Sequence, residues 1–265
     1  MEFEDLKKRQ SAVWGAAPFE RVAAEIADVH DDLVERLEPL DGVTFLDVAC
    51  GTGGVAERAA ARGAEVTGAD FAEALIATAR RRAEEQGLRV RFDVADAEQL
   101  PYGDESFDVV ASCFGVMFAP NQRAAANELR RVCRSGGRLG LACWTPDGTI
   151  GDFFRLASRF QPPPPAGAGN PLEWGTEERV RELLGDAFEL EFVKLETPQT
   201  GESGDQLWEL FSTSFGPTKT LADSLPEDRR AELRDAYVGF WESYRTDDGI
   251  VQPRQYLVTL GRRRP

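Results

Sequence analysis

Residues 44–54 of the chain read Thr-Phe-Leu-Asp-Val-Ala-Cys-Gly-Thr-Gly-Gly, and this stretch decides the fold. An apolar run enters a glycine-rich turn, and a segment of small residues with helical character, 54–62, follows it. About twenty residues past the glycines, a second apolar run, 65–69, ends in Asp70. This spacing is the signature of a βαβ unit that holds a ribose-bearing cofactor.

The glycines and the acid of this unit each have a chemical role. Without a Cβ atom, the backbone at Gly51 and Gly53 can adopt a positive φ and approach a ligand closely. The amides at the start of the following helix attract a carboxylate or another anion, and Asp70 can accept hydrogen bonds from ribose hydroxyls. Dinucleotides and S-adenosylmethionine both bind to such a unit, so the glycine turn alone leaves both cofactor classes open.

Strand and helix patterns alternate outward from this unit. Residues 5–37 have the apolar spacing of one helical segment, and Pro39 and Gly42 end it. The remaining pattern predicts helices at 54–62, 71–86, 121–134 and 176–185 and strands at 43–49, 65–69, 89–94, 107–113, 137–144, 187–196 and 255–261. We therefore expect an α/β fold of the Rossmann-like, doubly wound type: a mostly parallel seven-stranded sheet with an antiparallel last strand and helical lid insertions.

The chain divides into three predicted parts: an N-terminal helical cap (1–39), a cofactor-binding core (40–197 with 253–265) and an inserted helical lid (198–252). The segment 203–246 within the lid is rich in aromatic residues, namely Trp208, Phe211, Phe215, Tyr237, Phe240, Trp241 and Tyr244. Together with the loop at 145–175, the lid and the cap are expected to cover the carboxyl edge of the sheet, where open α/β sheets bind ligands. The aromatic content fits a small, partly apolar or aromatic substrate, and it fits equally well residues that only pack the lid against the core.

Composition narrows the class of partner and the compartment. The net charge of −15 disfavours nucleic acid and anionic membrane surfaces as partners. No apolar run approaches the length of a membrane span, and the charged segment 1–10 does not resemble a signal peptide. The four cysteines form no CxxC pair, so buried reduced thiols and a cytoplasmic location are expected. No metal site is predicted, because the chain has a single histidine and no ligand-like spacing. That histidine, His30, lies among acids in a predicted helix, and we expect a solvated surface residue there rather than a general base.

Further motifs separate the two cofactor classes. Asp96-Ala97 is followed by Leu100-Pro101 and Ser106-Phe107-Asp108, and the helix at 121–134 leads through Asn127-Glu128 to Gly136-Gly137. With the glycine turn and Asp70-Phe71, these blocks make residues 40–145 resemble the class I S-adenosylmethionine-dependent methyltransferases. The resemblance is to the small-molecule branch similar to the ubiquinone and menaquinone methyltransferases, and it implies S-adenosylmethionine as the cofactor.

The resemblance also implies a role for each matching position. Asp47 and the backbone of 49–53 (Ala49, Gly51, Thr52 and Gly53) would hold the methionine portion of the cofactor, with Cys113 and Phe114 lining the same side. Asp47 could instead cap a helix, and Phe114 could instead be a core residue. Four residues would contact the adenosine portion. Asp70 would hold the ribose diol, and Phe71 would lie along the adenine. Asp96 would accept a hydrogen bond from the adenine amino group, with the Ala97 amide beside it. Trp14, in a segment that folds over the cofactor in related enzymes, is either a lid residue or a core residue. Ala49 stands where the family usually has its first glycine.

The implied reaction is in-line transfer of a methyl group to a small-molecule acceptor, which releases S-adenosylhomocysteine. Displacement at a sulfonium needs no covalent enzyme intermediate, so the absence of a Ser/His/Asp or Cys/His set does not argue against catalysis. An oxygen or nitrogen acceptor often needs a base; Asp152, Glu173 and His30 are candidates, but no signal distinguishes one of them, and no catalytic residue is predicted. Two alternatives remain. An NAD(P)-dependent oxidoreductase would use Gly51, Gly53 and Asp70 but would not need Asp96-Ala97, and a non-enzymatic cofactor-binding protein could have the same fold.

Overall fold

A mixed β-sheet runs through the protein, whose computed structural model describes residues 3–265. Its strands are β1 (Thr44–Val48), β2 (Glu65–Asp70), β3 (Val90–Val94), β4 (Phe107–Cys113), β5 (Cys133–Trp144), β6 (Phe188–Gly201), β7 (Arg245–Thr246) and β8 (Gly249–Arg263). Over the described residues their order is β3-β2-β1-β4-β5-β8-β6, with β7 paired to β8. Strands β1 to β5 pair in parallel, whereas β8 is antiparallel to β5 and β6. The predicted Rossmann-like fold is confirmed, with an eighth strand because β7 forms a short hairpin with β8.

Helices cover the sheet on both faces. They are α1 (Glu4–Trp14), α2 (Glu20–Ala23), α3 (Ala27–Arg36), α4 (Gly54–Ala61), α5 (Glu73–Glu85), α6 (Gln122–Val132), α7 (Thr149–Ser158), α8 (Glu177–Leu184), α9 (Gly204–Ser214), α10 (Gly216–Ser224) and α11 (Glu227–Glu242). Right-handed crossovers place α4 and α5, which connect β1, β2 and β3, on one face and α6, which connects β4 and β5, on the other. Phe45, Leu46 and Val48 of β1 are all buried, as is typical of a central parallel strand.

The strand order reverses at β1. Asp47 of β1 lies opposite Gly68 of β2 on one side and opposite Ala111 of β4 on the other. The chain builds the sheet outward from β1 to β3 and then returns to add β4 and β5 on the far side. Such a reversal opens a crevice at the carboxyl ends of the two central strands, where doubly wound folds bind their ligands.

The N-terminal segment, predicted as one helix over residues 5–37, is broken in the structure. Helix α1 ends at Trp14, and α2, a 3-10 turn (Ala24–Ile26) and α3 follow after a gap that contains Pro18. A proline has no backbone N–H and a fixed φ, so a helix rarely continues through it. The break lets α1 reach the crevice, where the Ser11 hydroxyl donates to the carbonyl of Phe71 (3.0 Å). The first two residues of the predicted cap lie outside the described residues.

Two other boundaries differ from the prediction. The helix expected over 121–134 ends at Val132, because Cys133 pairs with Phe107 and begins β5. Within the segment expected to be a loop, 145–175, the chain forms α7. Two residues of α7, Ile150 and Phe154, pack with the main core, and these contacts stabilise a helix that has no strong sequence signal.

The lid segment packs around a hydrophobic core of its own. The buried members of this lid core are Leu207, Leu221, Ala222, Leu233, Tyr237, Trp241 and Ile250. Phe153 of α7 joins them, with ring centroids 4.8 Å from Tyr237 and 5.7 Å from Trp241. Since β6 continues to Gly201 and β8 begins at Gly249, the sheet extends a few residues into the predicted lid. The division into cap, core and lid stays a prediction.

Candidate cofactor-binding site

The turn after β1 forms one wall of a cavity. Backbone φ is positive at Ala49 (53°), Gly51 (54°) and Gly53 (89°), in the left-handed region that favours glycine. A Cβ atom at Gly51 would approach only the ring of Phe19, at 3.6 Å, whereas one at Gly53 would lie 3.1 Å from Phe92. Gly51 therefore leaves room for a ligand, and Gly53 lets α4 start close to β3.

Asp70 ends β2 and connects it to the glycine turn. Its Oδ2 accepts a hydrogen bond from the Gly51 amide (2.9 Å), and its Oδ1 accepts one from the Ala72 amide (2.8 Å). Burial raises the pKa of Asp70 to about 6, although the two amide donors favour the ionised form. The carboxylate lies at the cavity wall and has further lone pairs with which it can accept hydrogen bonds from a ligand.

Asp47 lies behind the glycine turn, away from the cavity wall. Its Oδ2 accepts a hydrogen bond from the Ala56 amide of α4 (3.1 Å), and the residue is only 1% exposed. Burial raises the pKa of Asp47 to about 8, and the nearby charge of Asp70 also raises it. Asp47 is therefore mostly a neutral acid at pH 7 that anchors the start of α4.

Replacing Asp47 with asparagine is expected to remove a pH dependence of stability. The folded protein holds a proton on Asp47 that the unfolded chain releases near its ordinary pKa of 3.8. The free energy of unfolding of the wild type should therefore fall as pH rises from about 4 to about 8, by at most about 1.4 kcal/mol per pH unit from this residue. Asparagine keeps an acceptor for the Ala56 amide but has no proton to lose. Urea titrations across this range check the prediction; equal pH slopes for the two proteins would contradict it.

Asp96 and Phe71 lie at another end of the cavity, beneath α1. Lys7 of α1 places its Nζ atom 2.6 Å from Asp96 Oδ2 and 2.9 Å from Glu98 Oε2. The other oxygen of Asp96, Oδ1, accepts a hydrogen bond from the Glu98 amide (2.9 Å). These contacts hold α1 over this end of the cavity, and Ala97 completes the wall.

One cavity brings most of the predicted residues together. Those that line it are Trp14, Ala49, Gly51, Thr52, Asp70, Phe71, Asp96, Ala97, Cys113 and Phe114, whereas Asp47 and Gly53 lie behind the wall. Phe114 stacks on Trp144 with ring centroids 3.6 Å apart, and Trp14 makes an edge contact with Phe19 at 5.7 Å. Burial holds the pKa of the Cys113 thiol well above its ordinary value, so this part of the wall is neutral.

His30 also lines this cavity, and its prediction as a solvated surface residue is wrong. It is only 7% exposed, because α3 packs against α4 and the sheet and buries the adjacent Val29 and Leu33 completely. The acids around His30 in the sequence suggested an exposed face. Its spacing from the apolar Leu33, three positions on, was the signal for a buried face. The cavity is also lined by Lys7, Phe19, Ile26 and Phe118, for which no functional role is predicted from the sequence.

Residues 45–137, from β1 into β5, match a methyltransferase-domain family. The chain belongs to the class I S-adenosylmethionine-dependent methyltransferases, and it is an enzyme with S-adenosylmethionine as its cofactor. An uncharacterized protein of Mycobacterium tuberculosis, Rv1405c, is 32% identical to it over 273 residues, which is 99% of this chain and 97% of that protein. The demethylmenaquinone methyltransferase of Thermus thermophilus is 46% identical over 118 residues, which is 42% of this chain and 53% of that protein.

Solved structures share the fold. YcgJ of Bacillus subtilis matches with a TM-score of 0.61 at 19% identity, over 89% of this chain and 98% of that one. A geranyl diphosphate methyltransferase in complex with S-adenosylmethionine matches with a TM-score of 0.55 at 20% identity, over 89% of this chain and 85% of that one. At these identities the likeness concerns the fold.

The cavity has the chemistry that S-adenosylmethionine requires. The open face of Gly51 is a place that a Cβ atom would fill, and Asp70 and Asp96 offer oxygen acceptors for the hydroxyl and amino donors of an adenosine. The neutral thiol of Cys113 leaves that wall uncharged. With the family established, the oxidoreductase alternative is set aside.

Proposed function

We propose that the enzyme methylates a small, partly apolar or aromatic acceptor while S-adenosylmethionine is bound in the cavity at the carboxyl ends of β1, β2 and β4. The observation that supports this most is the shared cavity, in which the acceptor oxygens of Asp70 and Asp96 lie in the same walls as the rings of Trp14, Phe19 and Phe118. Two reactants held in one such space meet without the entropic cost of a bimolecular encounter, an effect worth about 7–11 kcal/mol in favourable cases.

In this proposal the adenosine lies between β2, β3 and α1. Asp70 accepts hydrogen bonds from the ribose hydroxyls, and Phe71 lies along the adenine. Asp96 accepts a hydrogen bond from the adenine amino group, with the Ala97 amide beside it. Because a carboxylate has about four acceptor positions, Asp96 can do so in addition to its bonds with Lys7 and the Glu98 amide.

The methionine portion is proposed to lie along the backbone of 49–53, opposite Cys113 and Phe114. When bound, the cofactor supplies a sulfonium methyl group whose carbon–sulfur bond breaks as a lone pair of the acceptor forms the new bond, with S-adenosylhomocysteine as the leaving group. The residues of the chain hold the two molecules in line and exclude water. The neutral Cys113 and the stacked pair of Phe114 and Trp144 provide a dry wall without a competing nucleophile.

The support for an apolar acceptor comes from the cap more than from the lid. Tyr237 and Trp241 of the lid are 1% exposed and serve the lid core. Phe215 of the lid reaches the cap, with ring centroids 5.5 Å from Trp14 and 6.2 Å from Phe19. The lid is therefore proposed to support Trp14 and Phe19, which themselves line the cavity.

Transfer of radiolabel from methyl-labelled S-adenosylmethionine to a fractionated cell extract tests the proposed acceptor class. We expect label in a low-molecular-weight fraction that is retained on an apolar column. Label confined to the protein or nucleic-acid fraction would contradict the proposal. The absence of label from every fraction, although the protein binds S-adenosylhomocysteine, would also contradict the proposed acceptor class.

Once the acceptor is identified, Trp14→Ala is expected to lower kcat/KM for that acceptor by roughly tenfold or more, because the substitution removes a large apolar side chain from the cavity wall. Trp208→Ala is the matched control, because Trp208 packs on Tyr237 in the lid core with ring centroids 5.7 Å apart. We expect less than a threefold change for the control. Equal losses of kcat/KM in the two variants, measured at equal folded fractions, would contradict a direct role of the Trp14 ring in the cavity.

The remaining predictions concern the compartment and binding to membranes, nucleic acid and metal ions. None of the helices within residues 3–265 has the length and apolar character that a membrane crossing requires. We propose a cytoplasmic location from the four free cysteines, and no nucleic-acid partner from the net charge of −15. The His, Cys, Asp and Glu side chains of the described part of the chain form no cluster suited to a metal ion.

A further inference from the structure

One arginine is buried where the N-terminal segment meets the two long antiparallel strands. Arg254 of β8 is only 5% exposed. Its Nη1 donates to Gln199 Oε1 of β6 (2.8 Å), and its Nη2 donates to the carbonyls of Glu25 (2.7 Å) and Pro198 (3.1 Å). In the described part of the chain none of its nitrogen atoms pairs with a carboxylate, although the charges of Glu25 and Asp28 act on it. Burial lowers the pKa of Arg254 to about 10, so the guanidinium stays charged at pH 7.

The first contact of Arg254 with the cavity wall runs through a turn of the cap. The carbonyl of Glu25 that accepts from Arg254 belongs to the 3-10 turn at 24–26, which we call the cap turn. The Glu25 carboxylate accepts a second hydrogen bond, from Gln199 Nε2 (2.9 Å). Ile26, the next residue of the cap turn, lines the cavity. Since the backbone and the side chain of Glu25 are both tied to the sheet, these bonds fix where Ile26 lies.

The second contact runs through an aromatic ring. The guanidinium carbon of Arg254 lies 5.5 Å from the centroid of the Trp144 ring at the end of β5, within the range of a cation–π contact. Trp144 stacks on Phe114, with ring centroids 3.6 Å apart and planes inclined by 5°. Phe114 lines the cavity and has a φ of +49°, a conformation that a non-glycine residue keeps only when its surroundings hold it. A single ring thus separates Arg254 from the wall that Phe114 forms.

A buried guanidinium is a costly way to join two strands. Moving such a cation out of water costs several kcal/mol, and apolar side chains of similar volume often hold a buried position equally well. An apolar side chain, however, cannot donate to the cap turn. The planar guanidinium has five N–H donors in a fixed fork, and at Arg254 it bonds to the cap turn while it lies on Trp144. The arginine therefore fixes two parts of the cavity wall relative to each other.

We propose that Arg254 is a positioning residue for methyl transfer, which holds Ile26 and Phe114 at the separation that the acceptor needs beside the sulfonium. This inference rests on the proposed function, in which the acceptor shares the cavity with the cofactor. Arg254 acts on the acceptor side, because the proposed adenosine contacts, Asp70 and Asp96, lie at the ends of other strands, β2 and β3. A misplacement of about 1 Å in such an arrangement can lower a rate by roughly 100-fold.

The rate of methyl transfer per cofactor-binding site tests this proposal. The probes are methyl-labelled S-adenosylmethionine and limiting amounts of the apolar low-molecular-weight extract fraction, so that the initial rate is proportional to kcat/KM for the acceptor. Sites are counted by calorimetric titration with S-adenosylhomocysteine, which removes the effect of unfolded protein. For Arg254→Met we expect the rate per site to fall by roughly tenfold or more, with the affinity for S-adenosylhomocysteine within about threefold of the wild type. Arg254→Lys, which keeps the charge but has a single donor nitrogen, should recover part of the rate.

Arg138→Met is the matched control. Arg138 of β5 also donates to two carbonyls of the N-terminal segment, those of Leu37 and Pro39, but it lies outside the cavity wall. We expect its rate per site to stay within about twofold of the wild type. Gln199→Ala loosens the same cap turn without removing the buried arginine, and it serves if Arg254→Met does not fold. We expect it to lower the rate per site by roughly threefold or more, the scale of a lost hydrogen bond.

An unchanged rate per site in Arg254→Met, or in Gln199→Ala if the former does not fold, would overturn the proposal. Equal losses in Arg254→Met and Arg138→Met would overturn it too, because they would show a general effect of buried arginines. The proposed function fails differently: the wild type itself then transfers no label to the fraction. Hydrogen–deuterium exchange decides about Arg254 even in that case. Exchange over residues 20–30 should be faster in Arg254→Met than in the wild type and Arg138→Met, and equal exchange in all three would contradict a role of Arg254 in fixing the cap turn.

Discussion

Alanine at position 51 is expected to lower the affinity for S-adenosylmethionine by at least tenfold while the protein stays folded. Gly51 has a φ of +54°, and a Cβ atom there would project into the cavity with only the ring of Phe19 within 4 Å. The added methyl group would therefore occupy space that the proposed site gives to the cofactor. The backbone strain of alanine in the left-handed region adds a stability cost of about 1–2 kcal/mol, which does not by itself remove binding.

Gly87→Ala is the matched control for Gly51→Ala. Gly87 follows α5 with a φ of +68°, and a Cβ atom there would meet nothing within 4 Å. Both variants therefore carry a similar backbone strain, but only position 51 faces the cavity. Calorimetric titrations with S-adenosylmethionine, together with thermal melts, should show two comparably destabilised proteins of which Gly87→Ala alone binds normally. Normal binding by Gly51→Ala would show that the cofactor does not pass over this turn.

Asp70→Ala is expected to weaken S-adenosylmethionine binding by about 1–3 kcal/mol, the scale of lost hydrogen bonds to a charged group. The loss should depend on pH in the wild type. With a pKa raised to about 6 by burial, the carboxylate is ionised at pH 8 and largely protonated at pH 5, so wild-type affinity should fall in acid. Asp70→Ala should lack the part of the pH dependence that comes from this group.

Asp93→Ala serves as the control for Asp70→Ala. Asp93 belongs to the neighbouring strand β3 and accepts a hydrogen bond from the hydroxyl of Tyr102 (3.0 Å), outside the cavity wall. We expect its affinity for S-adenosylmethionine to stay within twofold of the wild type. Comparable losses in the two variants would indicate a general effect of carboxylates on this half of the sheet and no direct contact at Asp70.

Local sequence predicted the central part of the fold and of the candidate site. The glycine turn and Asp96-Ala97 each follow a strand within a few residues, and Asp70 ends one. Parallel strands bring their carboxyl ends to one edge of the sheet. The elements that the sequence predicted poorly depend on distant contacts. Helix α7 is stabilised because Ile150 and Phe154 pack against the main core. Strand β5 begins at Cys133 because this residue pairs with Phe107 of β4.

His30 and the lid aromatics show a second limit of sequence patterns. A helical face with acids on it is predicted as exposed, yet α3 is buried against α4 at His30 because Gly54 has no side chain. Aromatic residues in a lid segment are consistent with a substrate surface or with a core, and their spacing does not distinguish the two. Phe153, from a helix that was not predicted, completes the lid core and explains why these rings face inward.

A crystal structure with bound S-adenosylhomocysteine tests the cofactor site most directly. We expect electron density along the turn at 49–53, with the ribose hydroxyls within hydrogen-bond distance of Asp70 and the adenine amino group at Asp96. Density elsewhere on the protein, or a ribose that makes no contact with Asp70, would contradict the account.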